Sequence, residues 1–344
     1  MASKIKMALF VDQYLGTDYA KMAYGIMRYK PEAVICALDK RYDGQNVKDV
    51  TNEPFNVPIV NKIKKAIALG ANTLVLGIAP SGGKLPEEWS QPITEALENG
   101  LSVWNGLHQK LENQFGHLVC NPGQRIWDIR TPDFIPDVGR ARAAKLTNTR
   151  VLMIGTDMAI GKMTAGLEIY RELIEGGHNV DFLATGQIGI TITGKGIPLD
   201  AFIVDQACGA VEKIVLDASE KDIVIVEGQG SLMHPGSTAT LPLMRGSCPT
   251  HLILCHKAGK THLRNPSDME IPNLKDFIRL NELVATSCGA LPKAKCIGVA
   301  LNTSMLSEGE ANDEIRKLEN ELQLPVTDVV RYGSKKLIDA LINC

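Results

Sequence analysis

Residues 151–164 read Val-Leu-Met-Ile-Gly-Thr-Asp-Met-Ala-Ile-Gly-Lys-Met-Thr, and this stretch decides the fold. An apolar run of strand character leads into a loop bounded by Gly155 and Gly161, and Lys162 opens a helical segment. Strand, glycine-bounded loop and helix in that order are typical of a phosphate-binding loop. The glycines allow the backbone to curl so that N–H groups point at a phosphate, while the lysine and the helix N-terminus add positive charge.

We therefore predict that this loop binds a phosphate-bearing cofactor; the alternative is a glycine-rich turn in a domain that binds no nucleotide. The predicted cofactor-binding residues are Gly155, Thr156, Asp157, Gly161, Lys162, Met163 and Thr164. Met163 stands where Ser or Thr usually offers a hydroxyl to Mg²⁺, so no metal ligand is predicted. Because such a loop recognises only the pyrophosphate, ATP, GTP and coenzyme A are all eligible ligands.

The composition is that of an ordinary globular protein. The 344 residues include 37 Lys plus Arg against 39 Asp plus Glu, and 44% are hydrophobic, which excludes disordered, collagen-like and coiled-coil chains. A net charge of −2 offers no bulk attraction to nucleic acid or to an anionic membrane. We expect a cytoplasmic protein that acts on a small molecule and binds neither nucleic acid nor membranes. We also expect a homo-oligomer, because many enzymes of this kind form symmetric assemblies.

Short apolar runs alternate with helical segments along the chain, which predicts parallel α/β sheets. One series of runs starts at Met7, and the pattern restarts at Arg150. Between them, residues 121–138 carry several prolines and a glycine without an apolar period and predict a linker. The prediction is two α/β domains, one over residues 1–140 including the linker and one over residues 141–344.

A carboxylate, Glu227, directly follows the apolar run Ile223–Val226, and a glycine-rich turn comes after it. Ligands of an open parallel sheet bind beyond the carboxyl ends of its strands, so Glu227 and the phosphate loop are expected to face one crevice. Glu227 then either holds a metal or takes a proton from a nucleophile, provided that burial raises its pKa. The alternative is a glutamate that caps a helix or forms a salt bridge.

Further polar residues follow other strand ends and are predicted to line the crevice. His234 and Asp200 are predicted to assist Glu227 in catalysis, although a lone histidine is more often structural and Asp200 can equally cap a helix. The predicted substrate-binding residues are Gln187, Gln229, Ser231, Arg245, Ser81, Gly82 and His108. Arginine is included because it binds carboxylates through two parallel hydrogen bonds.

Taken together, these motifs resemble the DUF1611 family over nearly the whole chain. The likeness rests on residues 155–164, 185–189, 198–200, 226–231 with His234-Pro235, and on Ala79-Pro80, Gly82-Gly83 and residues 106–108. The resemblance implies a Rossmann-like N-terminal domain followed by a P-loop NTPase-like parallel-sheet domain. Since characterised members are D-glutamate N-acetyltransferases, it also implies transfer of an acetyl group from acetyl-CoA to an acidic amino acid. In such an enzyme we expect Glu227 to be the base and the turn after it to stabilise the oxyanion.

A more local likeness to dethiobiotin synthetase, in residues 155–162 and 226–230, keeps an ATP-dependent ligase or kinase with Mg²⁺ as an alternative. In that enzyme a hydroxyl residue directly follows the lysine, whereas here Met163 does. A third hypothesis is a nucleotide-sensing module without a working base. The missing hydroxyl favours acetyl transfer over ATP chemistry, and the density of polar loops at strand ends disfavours the sensing module.

Overall fold

A computed structural model describes residues 4–79 and 83–343. The chain forms two compact units. One comprises Met1–Asp133 with Ile190–Gly194, and the other comprises Phe134–Gly189 with Lys195–Cys344. No helix within the described ranges is both long and apolar enough to cross a lipid bilayer.

The first unit is built on a six-stranded parallel sheet. Its strands are β1 (Met7–Phe10), β2 (Val34–Leu38), β3 (Ile59–Val60), β4 (Thr73–Leu76), β5 (Ser102–Asn105) and β6 (Ile126–Asp128). Its helices are α1 (Lys21–Tyr29), α2 (Val47–Val50), α3 (Ile63–Ala68), α4 (Ser90–Glu98) and α5 (Glu112–Phe115). The strand order is β3-β2-β1-β4-β5-β6, which is the Rossmann order. The predicted parallel α/β sheet is therefore confirmed.

Strand β6 lies inside the stretch predicted to be a linker. It has only three residues, all partly exposed, at the edge of the sheet, so it leaves no apolar run in the sequence. Its last residue, Asp128, accepts hydrogen bonds from the side chain of Asn105 at 2.7 Å and from the backbone N–H groups of Leu111 and Glu112, each at 3.0 Å. These polar contacts add to the packing of Trp127 against Trp104, whose ring centroids are 4.7 Å apart.

The second unit contains another parallel sheet of six strands. These are β7 (Thr149–Gly155), β8 (Val180–Leu183), β9 (Ile223–Val226), β10 (His251–Lys257), β11 (Lys295–Asn302) and β12 (Val326–Thr327), in the order β12-β11-β10-β7-β9-β8. The helices are α6 (Lys162–Glu175), α7 (Gln187–Thr193), α8 (Val204–Asp217), α9 (Thr240–Ser247), α10 (Leu274–Ala285), α11 (Glu308–Leu322) and α12 (Lys335–Ile342). Strands such as β9 are buried along their whole length because helices cover both faces.

Strand β7 has a position that favours ligand binding. After β7 the chain passes through α6 to β8, which lies on one side of β7 at the edge of the sheet. After β10 the chain passes through α10 to β11, which lies on the other side of β7. This reversal between neighbouring strands opens a crevice at their carboxyl ends. Helix α6 packs closely on the sheet because Gly166 has no side chain, and a Cβ there would lie 2.8 Å from Cε2 of Phe182. This close packing holds the first turns of α6 against the face of the sheet.

The segment that enters the second unit is held by one buried carboxylate. Glu212 of α8 is fully buried, and its Oε1 accepts hydrogen bonds from the backbone N–H groups of Arg140 at 3.1 Å and Arg142 at 2.6 Å. Its Oε2 receives the Nε–H of Arg142 at 2.7 Å. Removing the carboxylate therefore leaves two backbone donors and a guanidinium without their acceptor.

We predict that Glu212→Ala lowers the free energy of unfolding by about 2–3 kcal/mol, because several buried hydrogen bonds are lost together. Asp217→Ala on the same helix removes only an exposed ion pair with Lys213 and should cost less than about 0.5 kcal/mol. Urea denaturation followed by circular dichroism measures both variants. If the two variants unfold at the same urea concentration, Glu212 does not anchor this segment.

Candidate active site at the carboxyl ends of the second sheet

The phosphate loop connects β7 to α6. Five residues separate Gly155 from Gly161, one more than in the commonest form of the motif, and the backbone takes left-handed conformations at Ala159 (φ 54°) and Gly161 (φ 111°). The first N–H groups of a helix have no acceptor within the helix, and this end of α6 is therefore of the kind at which proteins bind anions. Met163 and Thr164 lie half-buried in the first turn of the helix.

Lys162 is buried within the loop. Its Nζ donates one hydrogen bond to the carbonyl oxygen of Asp157 at 2.7 Å, which leaves two of its three N–H groups for a ligand. Burial lowers the pKa of Lys162 to about 8, although the Cys255 thiol and the carboxylates of Asp157 and Glu227 oppose the shift. A bound anion would stabilise the charged ammonium further, so binding and protonation of this lysine support each other.

Asp157 fixes the loop to the segment after β10 instead of facing a ligand. Its Oδ1 accepts the N–H of Met158 at 2.6 Å, and its Oδ2 accepts the backbone N–H of Arg264 at 2.8 Å. Lys260 Nζ lies 3.2 Å from Oδ2 and forms a salt bridge with it. These partners compensate the negative charge of Asp157, so it repels an incoming phosphate less.

Thr156 has a structural contact as well. Its Oγ1 lies 2.9 Å from Nδ1 of His256, and both residues are buried. Burial lowers the pKa of His256 to about 4, so this imidazole is neutral at physiological pH. The pair ties the phosphate loop to the end of β10.

Glu227 is buried at the end of β9, with its side chain 3% exposed. Its Oε2 accepts the backbone N–H groups of Thr185 at 2.8 Å and Gly186 at 3.1 Å, and the hydroxyl of Thr185 donates to the carbonyl oxygen of Glu227 at 2.8 Å. Burial raises the pKa of Glu227 to about 7, against the opposing effect of the two N–H groups and of Lys162. A carboxyl group with this pKa can both take and return a proton near neutral pH.

Glycines allow three loops to meet around Glu227. A Cβ on Gly228 would lie 1.6 Å from the carbonyl oxygen of Met153, and one on Gly189 would lie 2.6 Å from Oε2 of Glu227. On Gly186 it would lie 2.5 Å from Nε2 of Gln229. At Gly228 the close atom belongs to the backbone of β7, so the turn after β9 can approach β7 this closely only because residue 228 is glycine. At Gly186 and Gly189 a Cβ would displace the side-chain ends of Gln229 and Glu227.

Ser231 and His234 lie in the turn after Glu227, and both are buried. The N–H of Gly236 donates to Nδ1 of His234 at 3.0 Å, so the ring carries its proton on Nε2. Within the described part of the chain, Nε2 of His234 and Oγ of Ser231 have no hydrogen-bond partner. With this tautomer His234 is a hydrogen-bond donor at Nε2, whereas the sequence suggested a role in accepting protons.

The structure does not bring every predicted residue to this group. Arg245 is exposed in the last turn of α9, which leads into the start of β10 and therefore lies at the opposite end of the sheet. Asp200 is exposed in a single turn at residues 199–201, although the turn itself lies beside the group, because the N–H of Leu199 donates to the carbonyl oxygen of Thr185 at 3.1 Å. His108 belongs to the first unit, where its N–H donates to the carbonyl oxygen of Gly83 at 2.9 Å. Ser81 and Gly82 lie outside the described residues.

The remaining predicted residues take up positions around Glu227. Gln187 opens α7, and Nε2 of Gln229 would lie 2.5 Å from a Cβ on Gly186, which itself donates to the carboxyl group of Glu227. Sequence reasoning did not assign a role to Thr185, Lys260 or Asn302. Thr185 lies just after β8, and both its backbone N–H and its hydroxyl donate hydrogen bonds to Glu227. Asn302 ends β11, and its Nδ2 would lie 3.9 Å from a Cβ on Gly161.

Thr185 and Asn302 could have been identified from the sequence, because each is a polar residue at the carboxyl end of a strand. The carboxyl ends of parallel strands meet at one edge of the sheet. Lys260 gave no such signal, since it lies in a loop beyond β10 and its partner could be identified only from the fold.

Comparison with known proteins gives consistent results over both units. The DUF1611 P-loop domain matches residues 137–338, and the Rossmann-like N-terminal domain of the same family matches residues 40–132. The crystal structure of a DUF1611 family protein from Anabaena variabilis superimposes with a TM-score of 0.94 at 41% identity, over 99% of this chain and 100% of that one.

Two curated relatives carry the name D-glutamate N-acetyltransferase. One is from Tritonibacter scottomollicae and is 34% identical over 94% of both chains. The other is from a Pseudoalteromonas species and is 34% identical over 96% of both chains. The expected Rossmann-like and P-loop domains are confirmed by these matches. The chain belongs to the DUF1611 family.

Proposed function

We propose that this protein is an N-acetyltransferase that moves the acetyl group of acetyl-CoA to the amino group of D-glutamate. The names of the two curated relatives support this activity and this acceptor. The observation that carries the proposal is Glu227, a buried carboxyl group with a pKa of about 7 next to the phosphate loop. Amine acetylation needs such a group, because the incoming ammonium must lose a proton before its nitrogen can attack.

The phosphate loop fits the diphosphate of coenzyme A. Lys162 offers two N–H groups and a positive charge, and the start of α6 offers backbone N–H groups. Met163 follows the lysine, so the position that usually supplies a hydroxyl to Mg²⁺ is apolar. Holding a diphosphate without cleaving it requires no metal-bound hydroxyl. The loop thus contributes binding energy from a remote part of the donor, which orients its thioester.

Glu227 acts as the general base in this proposal. Its Oε2 is held by Thr185 and Gly186, so the carboxyl group keeps a fixed direction while it exchanges a proton. Glu227 takes a proton from the ammonium of the acceptor, the freed nitrogen bonds to the thioester carbon, and the carbon–sulfur bond breaks. The proton held by Glu227 then neutralises the thiolate of coenzyme A, which restores the carboxylate. The nitrogen loses its second proton to solvent as the amide forms, so the reaction releases one proton overall.

We expect acetyl-CoA with D-glutamate to release free thiol, with less release from L-glutamate. A parallel reaction with ATP and Mg²⁺ is expected to release no ADP. Thiol release that depends on the amino acid supports acetyl transfer, because both substrates are then consumed together. ADP release without thiol release would contradict the proposal and favour a ligase or kinase.

Glu227→Gln is expected to lower kcat by about 10²–10⁴-fold, because the amide cannot take a proton. In the wild type, kcat/KM should rise with pH through an apparent pKa of about 7, since only the deprotonated carboxylate accepts a proton. The variant should lose this rise. Glu175→Gln, at an exposed position of α6, is the matched control and should keep the wild-type profile. An unchanged pH profile in Glu227→Gln would exclude Glu227 as the base.

Lys162→Ala is expected to weaken coenzyme A binding by about 10–100-fold, because charge-assisted hydrogen bonds to the diphosphate are lost. Isothermal titration calorimetry with coenzyme A measures the Kd without turnover. Lys293→Ala, at an exposed position far along the chain, serves as control for the change in net charge. Equal affinity of Lys162→Ala and wild type would show that the loop does not hold the diphosphate.

A further inference from the structure

Two buried polar atoms in one turn lack any partner among the residues that the structure describes. They are Oγ of Ser231, which is fully buried, and Nε2 of His234, which is 5% exposed. An unsatisfied buried polar group destabilises the folded protein, and native proteins retain few of them. Two such atoms only three residues apart indicate that the turn is built to bind a ligand.

Backbone hydrogen bonds fix this turn. The N–H of His234 donates to the carbonyl oxygen of Ser231 at 3.2 Å, and the N–H of Ser237 donates to that of His234 at 3.0 Å. The turn starts at Gly230, whose φ of 63° is left-handed. The hydroxyl of Thr240 donates a hydrogen bond to the carbonyl oxygen of Gln229 at 2.9 Å. The positions of Ser231 and His234 therefore do not depend on a ligand.

His234 is held as a hydrogen-bond donor that faces the phosphate loop. A backbone N–H can only donate, so the contact of Gly236 with Nδ1 leaves the ring proton on Nε2. Nε2 lies 3.8 Å from Oδ1 of Asp157, which is too long for a hydrogen bond but places the N–H at the loop. Asp157 already accepts hydrogen bonds from Met158 and Arg264.

Two neutral donors in a buried site suit an oxygen that is uncharged at first and gains charge during the reaction. A substrate carboxylate fits less well, because its full charge would be desolvated as soon as the substrate binds, whereas the carbonyl oxygen gains its charge only in the transition state. Resting on the proposed acetyl transfer, we propose that Ser231 Oγ–H and His234 Nε2–H form the oxyanion pocket for the thioester carbonyl oxygen.

The proposed step moves one electron pair to the carbonyl oxygen and returns it when the thiolate leaves. The nitrogen lone pair of the acceptor forms a bond to the thioester carbon, and the π electrons of the carbonyl move to its oxygen, which Ser231 and His234 stabilise. When the carbonyl re-forms, the carbon–sulfur bond breaks and the thiolate leaves. Glu227 carries one proton from the ammonium to this thiolate, and the nitrogen releases its second proton to solvent as the amide forms. Neither Ser231 nor His234 changes its protonation state.

Ser231→Ala and His234→Leu are each expected to lower kcat by about 10²–10³-fold, the usual effect of removing an oxyanion donor. The KM for the amino acid should change less than about threefold, because the donors act in the transition state. His234→Gln retains an N–H donor and should be faster than His234→Leu. Thr238→Ala, an exposed position in the same loop, is the matched control.

A rise in the KM for the amino acid at unchanged kcat would overturn the proposal, because the pocket would then bind the carboxylate of the acceptor. Wild-type kcat in both Ser231→Ala and His234→Leu would overturn it as well. Thermal unfolding of each variant shows whether a lower rate reflects lost stability, and His234→Gln keeps the test valid if His234→Leu does not fold.

A measurement without turnover tests the donor directly. In ¹⁵N-histidine-labelled wild type, with His234→Gln used for assignment among the seven histidines, the ring of residue 234 should show a protonated Nε2 and an unprotonated Nδ1 at neutral pH. A proton on Nδ1 instead would overturn the proposal. A wild type that shows this tautomer but releases no thiol from acetyl-CoA would overturn the proposed function, whereas an active wild type with the other tautomer would overturn the pocket alone.

Discussion

The candidate active site depends on the burial of two opposite charges at the ends of neighbouring strands. Lys162 begins the helix after β7, and Glu227 follows β9, which pairs directly with β7. Burial lowers the pKa of the lysine to about 8 and raises that of the glutamate to about 7. Both pKa values therefore lie close to physiological pH, so an anion or a proton donor nearby can shift the charge of either group. In water neither residue would respond in this way.

Such a site can exist only where the backbone approaches very closely. The loops after β7, β8 and β9 meet at Gly228, Gly189 and Gly186, and none of the three positions has room for a Cβ. The loops surround Glu227 with backbone N–H groups instead of side chains, which keeps its carboxyl group oriented although it is buried. Asp157 binds the N–H of Arg264 and the ammonium group of Lys260, both in the segment after β10. The phosphate loop is thereby connected to β10 as well.

The sequence predicts the features that depend on local pattern. The apolar runs locate the long strands of both sheets, and the residues between Gly155 and Lys162 locate the phosphate loop, because strand, turn and helix follow one another there without interruption. Glu227 was found for the same reason, as a carboxylate at the end of a buried strand. Strand β6 was not recognised as a strand, because it has only three partly exposed residues and is held by contacts with distant residues, those of Asp128 with Leu111 and of Trp127 with Trp104.

Features that depend on distant contacts could not be predicted. The position of Arg245 at the far end of α9 follows from the direction of that helix, and the link between Lys260 and Asp157 joins residues more than a hundred positions apart. The role of His234 as a donor depends on one backbone N–H, that of Gly236, which no pattern of residue types reveals.

Direct titration of Glu227 tests the central claim most simply. Carboxyl-labelled glutamate gives a ¹³C resonance whose position follows protonation, and comparison with Glu227→Gln assigns the signal of residue 227. The structure predicts that this carboxyl group titrates near pH 7 in the free protein. Titration near 4.5, the ordinary value for glutamate, would contradict the account, because Glu227 would then lack the proton affinity that the reaction requires.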